Sequence, residues 1–123
     1  MKNILIVAKH DELVIQENRR IQIIPYNDIF SVAYDSPYIT IHTLTGSALL
    51  LMSLSEISRY LPEYFVLCNR STIINLMQAK SFDKTTGILC LRTGTVFTVS
   101  FRKRKKVETM FLSIATWENA RLT

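Results

Sequence analysis

The chain has 123 residues, of which 48% are hydrophobic and 20% charged, with only three glycines and three prolines. That length holds one modest domain, which excludes most multidomain enzymes, and that composition collapses rather than staying disordered. Fifteen Lys and Arg against ten Asp and Glu give a net charge of +5, and the run Arg102, Lys103, Arg104, Lys105, Lys106 accounts for all of it, a concentration that favours a polyanion such as nucleic acid as partner.

Ile4 to Val7 and Leu13 to Gln16 read as two strands, with His10, Asp11 and Glu12 as the turn between them. Glu17, Asn18, Arg19 and Arg20 interrupt the apolar signal before Ile21, Ile23 and Ile24, the layout of a hairpin with a charged tip, and Pro25 ends that strand. The opening apolar run is too short for a signal-peptide core, and no uncharged run approaches the ~20 residues that cross a bilayer. Cytoplasmic residence without membrane contact is the expectation.

From Ile29 the pattern continues through Val32 and Tyr34, breaks at Asp35, Ser36 and Pro37, and alternates again through Ile39, Thr40, Ile41 and His42. Thr45 and Gly46 turn the chain into a strand over Ala48 to Met52. Ser53 or Ser55 then caps a short helix running to Leu61, which Pro62 stops.

Between Tyr64 and Leu76 an apolar run turns polar at Asn69, Arg70, Ser71 and Thr72 and becomes apolar again at Ile73 and Ile74, which predicts a hydrogen-bonding surface turn. Ala79 to Phe82 and Ile88 to Leu91 are strands joined by the turn Asp83 to Gly87. Thr93 and Gly94 lead tightly into a last strand, Thr95 to Val99. Beyond Ser100, Val107, Met110, Phe111 and Ile114 fall on one helical face.

If Ser100 caps that helix, the five cations stand at its positive end, where the dipole and unpaired amides prefer an anion. A phosphate would meet both the backbone donors and the side-chain cations, so Arg102, Lys103, Arg104, Lys105 and Lys106 are candidates for gripping a DNA backbone. Tyr26, Tyr34 and Tyr38 at strand spacing read as packing residues first. Cys68 and Cys90 lack CxxC spacing and read as free thiols, and His10 and His42 sit in no metal-ligand motif. No catalytic constellation or phosphate-binding glycine loop is present, so a non-catalytic protein without cofactor or metal is expected.

The words YFVLCNRSTIINLMQA, LRTGTVFTVS and SFRKRKKV, in this order, resemble the LytTR-type DNA-binding domain, the output domain of many bacterial response regulators. The earlier passage IIPYNDIFSVAYDSPYITIHTLTGSALLLMSLSEISRYLP resembles that family's opening strands, polar loop and short helix, so the resemblance spans Arg19 to Leu112 within a single domain over residues 1–123. It implies an elongated, mainly β domain of antiparallel sheets with short helices. It also implies a transcription regulator that reads double-stranded DNA, at direct repeats, through loops set into successive major grooves.

Carried onto this sequence, the resemblance selects Arg70 and Arg102 for guanine edges or phosphate and Asn69 for an adenine edge or backbone. Ser71 is divided between phosphate contact and turn capping, Tyr38 or Pro37 stands near the first-loop contact, and Asn75 holds strand geometry. Leu67, Asn69 and Phe101 replace the arginine, histidine and arginine usual in the family, which implies an altered target preference. The family's phosphorylated receiver does not occur in this sequence, so a stand-alone DNA binder, or a fragment whose regulation lies elsewhere, is expected. A homodimer on DNA and a separate regulatory protein are further candidate partners, and the alternative function is a protein-interaction module on the same scaffold.

Overall fold

The computed structural model describes residues 4–122, with side chains as far as Ala115, and the chain divides after Glu63 into two compact units.

The first unit opens with three antiparallel strands, β1 (Ile4–Ala8), β2 (Glu12–Glu17) and β3 (Arg20–Pro25), with β2 in the middle. Their period-two pattern buries Ile6, Leu13, Ile15 and Ile24 on one face. The β2–β3 turn is tight because Asn18 adopts a left-handed φ of 57°, which a short polar side chain tolerates. A 3-10 turn over Tyr26–Asp28 follows, and the Tyr26 hydroxyl donates to the carbonyl of Tyr60.

Strands β4 (Ile29–Asp35), β5 (Tyr38–Thr43) and β6 (Gly46–Leu50) then pair antiparallel in succession, with Ile29, Val32, Ile39 and Ile41 wholly buried. Each such side chain contributes roughly 2 kcal/mol by leaving water. Strand β6 starts at Gly46 rather than Ala48 because the Thr43–Gly46 pairing begins the ladder directly after the turn, and Met52 is buried beyond its end.

Helix α1 (Leu54–Ser58) takes Ser53, not Ser55, as its cap. Ser53 Oγ accepts the Glu56 amide at 3.1 Å and Glu56 Oε1 accepts the Ser53 amide at 3.1 Å, a reciprocal capping box. The α-helix stops at Ser58, short of Leu61. The amides of Tyr60 and Leu61 bond to Ile57 and Ser58, tightening the last turn to 3-10 form ahead of Pro62.

In the second unit β7 (Phe65–Asn69) and β8 (Thr72–Asn75) form a hairpin, and β9 (Ala79–Asp83), β10 (Ile88–Leu91) and β11 (Val96–Thr98) form a sheet with β10 central. Val66, Cys68, Ile74, Leu89, Leu91 and Val99 are buried there. Asn75 is fully buried, and its Oδ1 accepts the Met77 amide at 2.9 Å, capping a 3-10 turn over Leu76–Gln78. Helix α2 (Arg104–Leu122) packs on β7 and on that turn, with Val107 buried and Met110, Phe111 and Ile114 half-buried beside it.

Candidate nucleic-acid interface

The β7–β8 hairpin turns through Arg70 and Ser71. Asn69 Oδ1 accepts both the Ser71 amide at 3.0 Å and the Ser71 hydroxyl at 3.1 Å, an Asx-turn that fixes the loop from its own side chains. The guanidinium of Arg70 is exposed and has no hydrogen bond or ion pair among the described residues. Ser71 therefore has a defined role in the turn, and Arg70 is the exposed cation at its tip.

The cationic run does not open directly as an α-helix. Ser100 precedes a 3-10 turn over Phe101–Lys103, its side chain makes no capping bond, and α2 begins only at Arg104. The helix expected straight after Ser100 is thus displaced, because the Lys103 amide bonds back to the Ser100 carbonyl at 2.9 Å in three-residue spacing. Arg102 and Lys103 ride on this tighter turn, Arg102 exposed and Lys103 half-buried. Lys105 and Lys106 are exposed on the first turn of α2, which contains no acidic residue. Glu108, one turn on, approaches Lys105 at 3.9 Å and Lys84 at 3.3 Å.

The two segments converge through the backbone. The Ser100 amide donates to the Cys68 carbonyl at 2.9 Å, and Arg70 and Arg102 each follow two residues later, within ~7 Å of chain. Burial pushes the Cys68 thiol up to about 12, against a smaller lowering from the Ile74 backbone, so it stays protonated and apolar behind this junction.

Arg104 behaves differently from its neighbours. Its Nη1 donates to the Thr85 carbonyl at 2.8 Å and its Nε to the Val99 carbonyl at 3.3 Å, while the guanidinium lies 5.4 Å from the centre of the Phe101 ring. The β9–β10 turn is built to receive it. Asp83 Oδ1 accepts the amides of Thr85 and Thr86, which holds its carboxyl below the usual carboxylate range, with Arg104 adding a smaller pull. Gly87 at φ +79° leaves the space that the guanidinium fills, since a Cβ there would lie 2.5 Å from Arg104 Nε. Arg104 thus serves the fold with two of its donor atoms, a use that its place in a basic run does not reveal.

Tyr38 and Pro37 stand in the first unit, both exposed, where β4 turns into β5; Tyr34 is exposed nearby, whereas Tyr26 is buried. Phe101 is 81% exposed at the head of the cationic segment.

The charge separates between the units. Residues to Glu63 hold five Lys and Arg against seven Asp and Glu, net −2, and those from Tyr64 hold ten against three, net +7. No group of three His, Cys, Asp or Glu that could hold a metal ion occurs among the described residues, nor a helix long and apolar enough to cross a membrane.

No curated protein matches the chain. Among solved structures, a LytTr DNA-binding domain from Bacillus cereus superposes with a TM-score of 0.69 at 17% identity, covering 83% of this chain and 97% of that one. This likeness establishes the fold, mainly antiparallel β. The family model for the LytTr DNA-binding domain matches residues 19–112, a span running from the β2–β3 turn through both arginine-bearing segments and into α2. The chain belongs to the LytTr DNA-binding domain family.

Proposed function

We propose that this chain regulates transcription by binding double-stranded DNA sequence-specifically, at direct repeats, without catalysing a reaction. Arg70 and Arg102 carry base-edge or phosphate contact through their forked donors, and Lys103, Lys105 and Lys106 neutralise the flanking backbone. Asn69 and Ser71 shape the hairpin tip, Arg104 positions the cationic segment, and Tyr38 contributes from the first unit. The observation that carries this reading is the Ser100–Cys68 backbone bond, which makes two exposed arginines without partners among the described residues issue from one place in a unit of net charge +7.

Selection from random duplexes at stated salt, followed by anisotropy titration, tests the proposal. A recovered motif whose affinity falls steeply with salt is expected. Absence of any duplex preference, with no change on Arg70→Ala/Arg102→Ala, would overturn it. A second reading, a protein-interaction module on this scaffold, is favoured by the exposed Phe101 ring and by Leu67 and Phe101 standing where the resemblance expects arginines. Stoichiometric capture of one protein by a chain that ignores duplex DNA would select that reading.

A further inference from the structure

The sheet of β1, β2 and β3 is apolar on both faces. Its registers align Leu5, Gln16 and Ile21 in one row and Val7, Val14 and Ile23 in the next, on the side opposite buried Leu13 and Ile15. Leu5 is 59% exposed, Val7 44%, Ile21 63% and Ile23 53%, with Val14 half-buried among them. An antiparallel sheet with one solvated face ordinarily alternates apolar-in with polar-out. These two rows carry no charge at all, and three of their five aliphatic residues lie on β1 and β2, before the residues that match the family model.

Charge and size together indicate what covers this face. The two rows hold no cation to attract a nucleic-acid backbone or an anionic lipid surface. Their aliphatic side chains present on the order of 400 Å², about half of the ~800 Å² that each partner buries in a standard interface. The charged turns at the two ends of the sheet can supply the rest, and they are opposite in sign. Lys9, Asp11 and Glu12 make the β1–β2 end net −1 and Arg19 makes the β2–β3 end net +1, while Glu17 and Arg20 pair with each other on the opposite side of the sheet, in register with Ile15 and Gln22.

A surface with an uncharged middle and oppositely charged ends is complementary to itself when turned end for end. We propose that this face is the interface of a symmetric homodimer, sheet on sheet, about a two-fold axis lying in the interface and crossing the strands. Each copy's Arg19 then lies over the other copy's Asp11 and Glu12, and isologous packing closes the assembly at two. The assignment stands on the sheet and not on the DNA reading.

Sedimentation velocity of the chain from ~1 to ~100 µM tests it. A dimer is expected at the upper concentrations. Ile21→Thr/Ile23→Thr keeps β-branched side chains on solvent-facing positions, so the far-UV spectrum is retained while dimerisation weakens at least ~tenfold. An Arg19→Glu chain and an Asp11→Lys/Glu12→Lys chain are each expected to dimerise more weakly alone and to form a one-to-one complex when mixed. A wild-type monomer at every concentration, the face being covered by a different protein or by another segment, would overturn the proposal. So would a dimer indifferent to the two threonines, or charge-swapped chains that stay apart on mixing.

Discussion

The amide of Ser100 lies 2.9 Å from the carbonyl oxygen of Cys68, and this one backbone bond ties the head of the cationic segment to the end of β7. Ser100 has φ −60°, which a proline ring accepts, so Ser100→Pro deletes the donor with little backbone strain at that residue. The Cys68 carbonyl loses its partner, with an expected stability loss of ~1–2 kcal/mol and weaker duplex affinity as the two arginine-bearing segments uncouple. Chemical denaturation and anisotropy titration of the same preparation measure both.

Truncating the two arginines separates reading from gripping. Arg70→Ala and Arg102→Ala are each expected to lose ~1–3 kcal/mol of binding to a selected site and to relax its preference at one position. Lys105→Ala/Lys106→Ala should weaken all duplexes alike and reduce the slope of log affinity against log salt by roughly two. Titrations at three salt concentrations distinguish these outcomes.

The strand framework was legible because alternation marks a half-buried strand directly, as Leu13 and Ile15 or Ile39 and Ile41 do, and because Asn18, Gly87 and Gly94 punctuate the turns. The start of α2 was not legible. Ser100 is a good cap by residue type, yet local spacing cannot tell a 3-10 turn that anchors on a distant carbonyl from the first turn of an α-helix. Within the cationic run, sequence could not tell a cation that serves the fold from one left exposed. Arg104 differs from Arg102 through its acceptors at Val99, five residues earlier, and at Thr85, which comes from a turn 19 residues earlier.

Arg104 and Gly87 should therefore act through the fold. Arg104→Ala gives up two hydrogen bonds to main-chain carbonyls and is expected to lower stability by ~1–3 kcal/mol. Gly87→Ala places a methyl against the guanidinium at a φ that suits glycine, for a loss of ~2 kcal/mol. Arg104→Ala/Gly87→Ala together should fall short of the sum, because the clash disappears with the guanidinium; urea unfolding of the four chains checks this.

The Asp83 turn gives the fold an acid limb. Its carboxyl is held below the usual range by the Thr86 and Thr85 amides, so the ionised form is favoured in the native state. The corresponding stability is complete above the ordinary aspartate value of ~3.9 and is lost as pH falls through the depressed native one. Melting temperature followed from pH 5 downward should fall more steeply for the wild type than for Asp83→Asn.

The Cys68 thiol is displaced the other way, up to about 12 by burial. The neutral form is favoured in the native state, so its contribution is intact below the ordinary thiol value of ~8.5 and disappears as pH climbs toward 12. A thiol reagent at pH 8 is expected to modify half-buried Cys90 and spare Cys68 until the chain unfolds, which mass spectrometry of the labelled peptides resolves.

The Asx-turn at the hairpin tip limits what its asparagine can recognise. Both lone pairs of Asn69 Oδ1 are engaged by the Ser71 amide and hydroxyl, which leaves only the two amide hydrogens to face outward. Adenine is read by an asparagine that accepts from one ring substituent while donating to N7, and a side chain that can only donate cannot do this. On the proposed DNA reading, and while the tip keeps this conformation, an Asn69 amide that reached a base would be matched to guanine N7 and O6 or to a phosphate oxygen and not to an adenine edge, a restriction set inside the protein by the Ser71 contacts.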